Sequence, residues 1–226
     1  THFINNQKPV LITEGKTDIL YIKAALKKLY EEYPTMVSKD SNGRFSFHVS
    51  FFNKTRHWKY FFGMSKDGAD AMKKLYSFFN GNGENNLCDY FKRQNAIFSK
   101  NPVFFLFDNE QNSKRPLRTF VSYAKLSDTQ EAELKDTNHT LLNEVSNLSL
   151  LSVPLPAGKD ECELEDLFTE ETLATVIGGR TFSRKDEDIT KYYNKNIFSK
   201  YIYKNYKNID FSAFRPLLNI ISELIT

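Results

Sequence analysis

The sequence predicts an α/β fold built on a mainly parallel central sheet flanked by helices. Two strand-like apolar runs, "PVLIT" at 9–13 and "PVFFLF" at 102–107, lead directly into acidic residues. The first is followed at once by a segment of helical periodicity, and strands alternating with helices are the mark of an α/β sheet. The second is apolar throughout, which suits a strand covered on both faces.

Taken in order, residues 9–13 form the first expected strand. "KTDILYIKAALKKLYEEY" follows, with Ile19, Ile22, Leu26 and Leu29 at helical spacing, so strand, glycine turn and helix succeed one another. "RFSFHVSFF" alternates, with Phe45, Phe47, Val49 and Phe51 on one face, and predicts a second strand. "DGADAMKKLYSFFNG" predicts a helix between an Asp near its start and a Gly near its end, and "NLCDYFKRQNAIFSK" predicts another. The strand before Asp108 comes next.

Residues 112–138 are polar with no dominant period, which leaves open a substrate loop or a docking surface for a preceding part of a longer polypeptide. "HTLLNEVSNLSLLSVPLP" predicts two short strands, the second closed by Pro154 and Pro156. "ECELEDLFTEETLATVIGG" reads as a loop and short helix. From Asp188 onward, Ile189, Tyr193, Ile197 and Tyr201 step by four, and Phe211, Phe214, Leu218, Ile221 and Leu224 outline a last amphipathic helix. We therefore expect an α/β domain over 1–180 and a helical C-terminal extension over 181–226 that packs on it. The apolar terminal helix suits either that sheet or a second subunit of a homo-oligomer.

At 226 residues and 40% hydrophobic, the chain has enough material for a real core. Its 31 Lys and Arg against 28 Asp and Glu give a net charge of only +3, so a nucleic-acid partner must be met by local patches. Cys88 and Cys162 lie far apart with no metal-type spacing, which suits buried, inert thiols in a reducing compartment. No apolar run approaches the roughly 20 residues of a spanning helix, and no signal-peptide pattern opens the chain. A cytoplasmic location without membrane contact is expected. The start at Thr1, within ten residues of the first strand, suits a fragment or tail of a longer polypeptide.

In open parallel sheets, sites gather beyond the carboxyl ends of the strands. Glu14 ends the first strand, with Asp18 four residues on, and Asp108 and Glu110 end "PVFFLF". If the two strands are neighbours, these carboxylates converge, and protons or a divalent cation must offset their repulsion. Oxygen-only ligation points to Mg2+ or Mn2+, and hence to phosphate chemistry. As single features, Glu14 and Asp18 are equally well read as acids favoured in a helix's first turn.

"LITEGKTD" followed by "FFLFDNE" resembles the two signature motifs of the toprim fold, found in topoisomerases, bacterial primases, OLD-type nucleases and small RNA-maturing nucleases. By order of elements the resemblance covers roughly the first two thirds of the chain, and the motif pair is more specific than either motif alone. "KPVLITEGKTDILYIKAALKKL", "LEDLF", "KNIFSKYI" and "DFSAFRPLLNII" are closer still to the toprim region fused behind the reverse transcriptase of some retrons, which are bacterial anti-phage systems.

The resemblance implies that Glu14 is a metal ligand or general acid/base and that Asp18 and Asp108 are ligands. Glu110 stands where a second Asp is usual, one methylene longer. An acid of "LEDLF" would hold a second metal; Glu165 fits best, with Glu163 as the alternative. Lys195 matches a lysine that assists catalysis, and Lys200 follows it. Two ions about 3.5 to 4 Å apart could clamp the attacking water and leaving oxygen of a phosphodiester, with Lys195 stabilising the developing charge.

Further nucleic-acid contacts are expected at Arg56, Trp58 and Lys59 in "NKTRHWKY", and at Lys191, Lys200 and Lys204 in the Lys- and Tyr-rich run 191–208. A solvated lysine face on an amphipathic helix is the competing explanation for that run, and Trp58 suits a core equally well. Two functions follow. One is a metal-dependent toprim endonuclease, cutting RNA such as tRNA ahead of DNA, that acts as the toxic effector of a retron and is restrained by the reverse transcriptase region and its DNA-RNA product. The other is a non-catalytic nucleic-acid-binding module assisting the reverse transcriptase. Topoisomerase activity is disfavoured because the chain has no room for tyrosine-bearing and gate domains, and primase activity because no zinc-ribbon cysteines are present.

Overall fold

A computed structural model describes residues 6–52, 60, 69–80, 93, 101–110, 114–144, 146–185 and 188–226. The predicted helix at 86–100, apart from Arg93, lies outside them, as do Cys88, Arg56, Trp58 and Lys59. The chain builds an α/β structure around a five-stranded sheet in the order β4-β1-β5-β7-β6. These strands are β1 (Val10–Thr13), β4 (Ser50–Phe51), β5 (Val103–Phe107), β6 (His139–Asn143) and β7 (Leu148–Ser152). β4, β1, β5 and β7 run parallel, and β6 joins β7 antiparallel at one edge.

The central strands β1, β5 and β7 are buried at every position because both sheet faces are covered, and only Thr13, Ser149 and Ser152 interrupt their apolar character. Leu11, Phe104, Leu106 and Leu151 point into one core; Val10, Ile12, Phe105 and Leu150 point into the other. The second core is closed by α2 (Ala69–Asn80), α3 (Pro116–Ala124) and Leu134 of α4 (Asp128–Thr137). The first is closed by α1 (Lys16–Lys28), α6 (Lys195–Lys204) and α7 (Arg215–Leu224), with Leu173 of the short α5 (Glu170–Leu173) packed against it. Residues 181–226 thus share a core with the sheet, through Phe198, Ile202 and Leu218. This layering is compatible with a Rossmann-like fold.

Three expectations need correction. The run 44–52 is not one strand. Phe45–Phe47 (β3) pairs antiparallel with β2 (Val37–Lys39) as a separate hairpin. His48 N–H then donates to Met36 O at 2.8 Å, and Ser50 N–H donates to Pro9 O at 2.8 Å as β4 enters the main sheet. The alternation is real, but two ladders share it.

Residues 112–138, which showed no dominant period, form α3 and α4 where they are described. Leu117, Phe120 and Val121 give α3 a narrow buried stripe. α4 buries Leu134 and is fixed at its start by a capping box: Gln130 N–H donates to Ser127 Oγ, and Ser127 N–H to Gln130 Oε1.

The step-by-four pattern from Asp188 does not begin a helix. Thr181–Phe182 (β8) and Tyr192–Tyr193 (β9) pair in parallel, and Ile189 is exposed. α6 starts at Lys195, where Asn194 caps it by accepting from Ile197 N–H. Among the described residues, no helix is long and apolar enough to cross a membrane.

Candidate functional site

The site is built at the carboxyl ends of β1 and β5, which are adjacent and in parallel register from Val10↔Val103 to Thr13↔Leu106. Beyond β1, the Thr13 hydroxyl donates to Gly15 O at 2.6 Å and tightens the turn. Gly15 N–H donates to Asp18 Oδ2 at 2.8 Å, and a Cβ at Gly15 would stand only 3.2 Å from that oxygen. Glycine therefore lets Asp18 fold back over the start of α1. Asp18 serves the helix terminus, as its first-turn position suggested, and also points its charge at the site.

Beyond β5, Asn109 forms an isolated antiparallel bridge with Cys162: Asn109 N–H donates to Cys162 O at 2.8 Å, and Cys162 N–H to Asn109 O at 2.9 Å. The bridge draws "LEDLF" to the strand end. Leu164 N–H then donates to Asp108 Oδ1 at 2.9 Å. Glu165 follows in the 3-10 turn Leu164–Leu167, anchored by buried Leu164 and Leu167, and is itself only 1% exposed.

Glu14, Asp18, Asp108 and Glu165 come together electrostatically. Burial, then the charges of Asp18, Glu165 and Glu14, raises the Asp108 carboxyl well above the usual carboxylate range, against the hydrogen bond from Leu164. Burial raises Glu165 as well, with Lys195 opposing it. Lys195 Nζ lies 3.1 Å from both Glu165 Oε2 and Glu163 Oε2. Burial works against the Lys195 charge, but Glu165 and Glu163 outweigh it and raise the ammonium above its ordinary value. Lys195 therefore stays cationic at neutral pH.

Glu110 is placed differently from the expectation. It is buried beside Arg115, whose Nε lies 3.2 Å from Glu110 Oε1, and its other charged neighbours are Glu163, Glu161 and Lys195. Asp108 does not feel it among its main influences. Lys200 and Lys204 lie on the exposed face of α6, and Lys191 sits 3.8 Å from Asp188, so the described structure brings only Lys195 of that run to the carboxylates.

Several residues went unnoticed in the sequence. The Tyr21 hydroxyl donates to Glu165 Oε1 at 3.2 Å; its place three residues after Asp18, on the same helix face, was the available signal. Arg184 clamps Glu163 at 3.2 Å and Asp166 at 2.8 Å, and Lys159 reaches Asp166 at 2.8 Å. Burial would raise Asp166, but the hydrogen bonds from Arg184, Lys159 and Glu163 N–H hold it down at about 2. Nothing local in the sequence marks Arg184 as their partner.

No protein-family model matches the chain, and no solved structure matches it. Fold and site therefore rest on the residues themselves.

Among the described residues, no three acidic, His or Cys side chains form a ready-made metal cage. Mg2+ does not require one, because it keeps several waters and binds through one or two carboxylates plus substrate phosphate. The donor set, all carboxylate oxygen and mutually repelling, fits such an ion in its chemistry. A cleft of about 470 Å³ opens beside Asn109, lined by Leu117, Arg118, Glu131, Leu134, Ser152 and Asp160.

Cys162 at the bridge is fully buried, and burial, then Asp166 and Asp108, pushes its thiol up to about 12. In a Cys88→Ser chain, an aromatic disulfide reagent at pH 8 should leave Cys162 unlabelled until denaturant is added. Stoichiometric labelling of the native protein would contradict that placement.

Proposed function

We propose that the protein is a Mg2+- or Mn2+-dependent endonuclease of toprim type, cutting RNA such as tRNA ahead of DNA. The observation that carries this reading is the convergence of Glu14, Asp18, Asp108 and Glu165 at adjacent strand ends, with Lys195 beside them. One ion held by Asp108 with Glu14 or Asp18, and a second held by Glu165, would supply charge neutralisation at the phosphate and an acidified water.

The chain's own groups have separable tasks. Lys195, permanently charged, offsets negative charge on the scissile phosphate or leaving oxygen. Tyr21 and Lys195 hold the Glu165 carboxylate in one orientation. Glu14, half-buried on the turn after β1, is the proton acceptor or donor. The similarity to retron toprim regions supports a place as a toxic effector, restrained by a reverse transcriptase region and its DNA-RNA product.

The test is cleavage of labelled tRNA, single-stranded DNA and duplex DNA with Mg2+, Mn2+ or EDTA, comparing the parent with Glu14→Gln and Asp108→Asn. Metal-dependent cutting of one substrate, reduced at least about 100-fold in both variants, is expected. Binding without cutting, equal in all three proteins, would instead favour the binding module.

A further inference from the structure

Three lysines on the first-core side of the molecule have aromatic rings in place of acidic partners. Lys23 Nζ lies 4.8 Å from the Phe51 ring centroid and 5.6 Å from that of Phe47. Lys27 Nζ lies 4.0 Å from Tyr206 and 4.5 Å from Tyr203, and Lys39 Nζ lies 5.1 Å from Tyr30. All are within cation–π range. Phe45 joins the groups, 5.4 Å from Lys27 and 5.6 Å from Lys39. The rings meet edge to face, Tyr30 on Phe45 at 5.7 Å and Phe45 on Tyr206 at 5.9 Å, and each is half-buried, keeping part of its surface open.

Among the described residues, no carboxylate lies within ion-pair distance of Lys23, Lys27 or Lys39. The local acids have other bonds: Glu31 accepts from the Tyr30 hydroxyl at 2.7 Å, and Asp40 from Arg44 N–H at 2.8 Å. More positive charge gathers at the rim, where Lys28 Nζ donates to Lys207 O and Lys8 Nζ to Phe47 O. Burial lowers the Lys23 ammonium, and burial, then Lys207, lowers that of Lys27, as uncompensated cations require.

The strip stands apart from the carboxylates. Lys23 and Lys27 lie on α1 about 7–8 Å and a further 6 Å along the axis from Asp18, and at about 100° per residue they face the other side of the helix from it. We propose that this lysine–aromatic strip binds single-stranded nucleic acid, its ammoniums on successive phosphates and its rings against unpaired bases. Alternating cations and rings match an unpaired strand, which offers phosphates and open base faces together, whereas a duplex hides its base faces. Binding at the strip does not depend on the nuclease reading.

The test is fluorescence anisotropy with labelled oligouridine of about 16 nucleotides, the upper end of common site sizes, and with its duplex, in EDTA so that cleavage plays no part. Gln at positions 23, 27 and 39 keeps the stems over the rings and removes the charges; circular dichroism checks the fold. We expect the combined Lys23→Gln, Lys27→Gln, Lys39→Gln protein to bind oligouridine at least about tenfold more weakly. Its log K against log[salt] slope should be shallower by about 2, from about 0.7 per phosphate contact on a single strand.

Arg at the three positions should restore binding, while Lys135→Gln, on the opposite face, should leave it intact. Unchanged affinity and slope in the Gln protein would overturn the proposal. So would an equal loss for duplex and single strand, which would leave the rings without a role, or a loss confined to a polyglutamate peptide, which would point to an acidic protein partner. A parent that binds as expected but cuts nothing would refute the nuclease reading and leave the strip standing.

Discussion

Asp108→Asn should melt at a higher temperature than the parent in EDTA, and, on the proposed metal-dependent reading, should gain little from Mg2+ where the parent gains. Burial, then the charges of Asp18, Glu165 and Glu14, disfavours the ionised Asp108, while its Oδ1 accepts from Leu164 N–H, a bond that asparagine can keep. Its folded pKa lies above the unfolded value, so its contribution to stability is fully present below about 3.9 and is lost as pH rises through the folded value. At pH 7 the ionised group is a cost that asparagine removes.

Each tenfold change in proton affinity is worth about 1.4 kcal/mol, and 1 kcal/mol moves Tm by about 2–4 °C at this chain length. A gain of several degrees is therefore expected at pH 7, shrinking toward pH 4. Tm measured against pH and Mg2+ concentration checks it. A variant less stable than the parent in EDTA at pH 7 would show that Asp108 supports the fold more than it strains it. Stability gained at the cost of function is the signature of an active site.

The largest loss of stability is expected at Phe198. Its ring stacks on Phe182 at 4.5 Å, lies 5.5 Å from Phe168 and 5.9 Å from Tyr21, and is fully buried. Phe198→Ala removes this hub, at a cost of about 3–5 kcal/mol for an aromatic truncated in a packed core. That corresponds to a fall in Tm of roughly 6–20 °C, with Phe198→Leu between the two proteins. If the proposed nuclease activity holds, the variant should also lose it, because Phe198 lies one turn beyond Lys195 on α6 and its neighbour Tyr21 holds Glu165. A fall of less than about 2 °C would mean that the three neighbouring rings close over the gap.

How much of this was legible depended on how locally each feature is determined. β1 and β5 could be read because strands covered on both faces are buried at every position and so almost wholly apolar. The carboxylates could be read because each follows such a strand or sits at a helix start. Glu110 had the same local credentials, yet Arg115 sits beside it. A spacing of two from Asp108 says nothing of which way the second side chain turns once the chain has left the strand. The split at His48 was hidden because alternation reports a face and not a partner. α4 was hidden because its order comes from one capping box and a single buried leucine, which periodicity does not register. Arg184 was out of reach altogether: its contacts with Glu163 and Asp166 join residues on either side of a helical turn and a strand and exist only in the folded chain.

The Asn109–Cys162 bridge and the Lys195–Glu165 pair also set a schedule. Glu14, Asp108, Glu165 and Lys195 are scattered along most of the polypeptide, so the site has no local precursor. A chain growing at about 5–20 residues per second carries Glu14 and Asp108 for several seconds before the ribosome has made α6. Throughout that interval the carboxylates stand without Lys195, and for its first part without Glu165 as well. The complete constellation thus appears only once α6 has been made, and a product terminated before Lys195 lacks it.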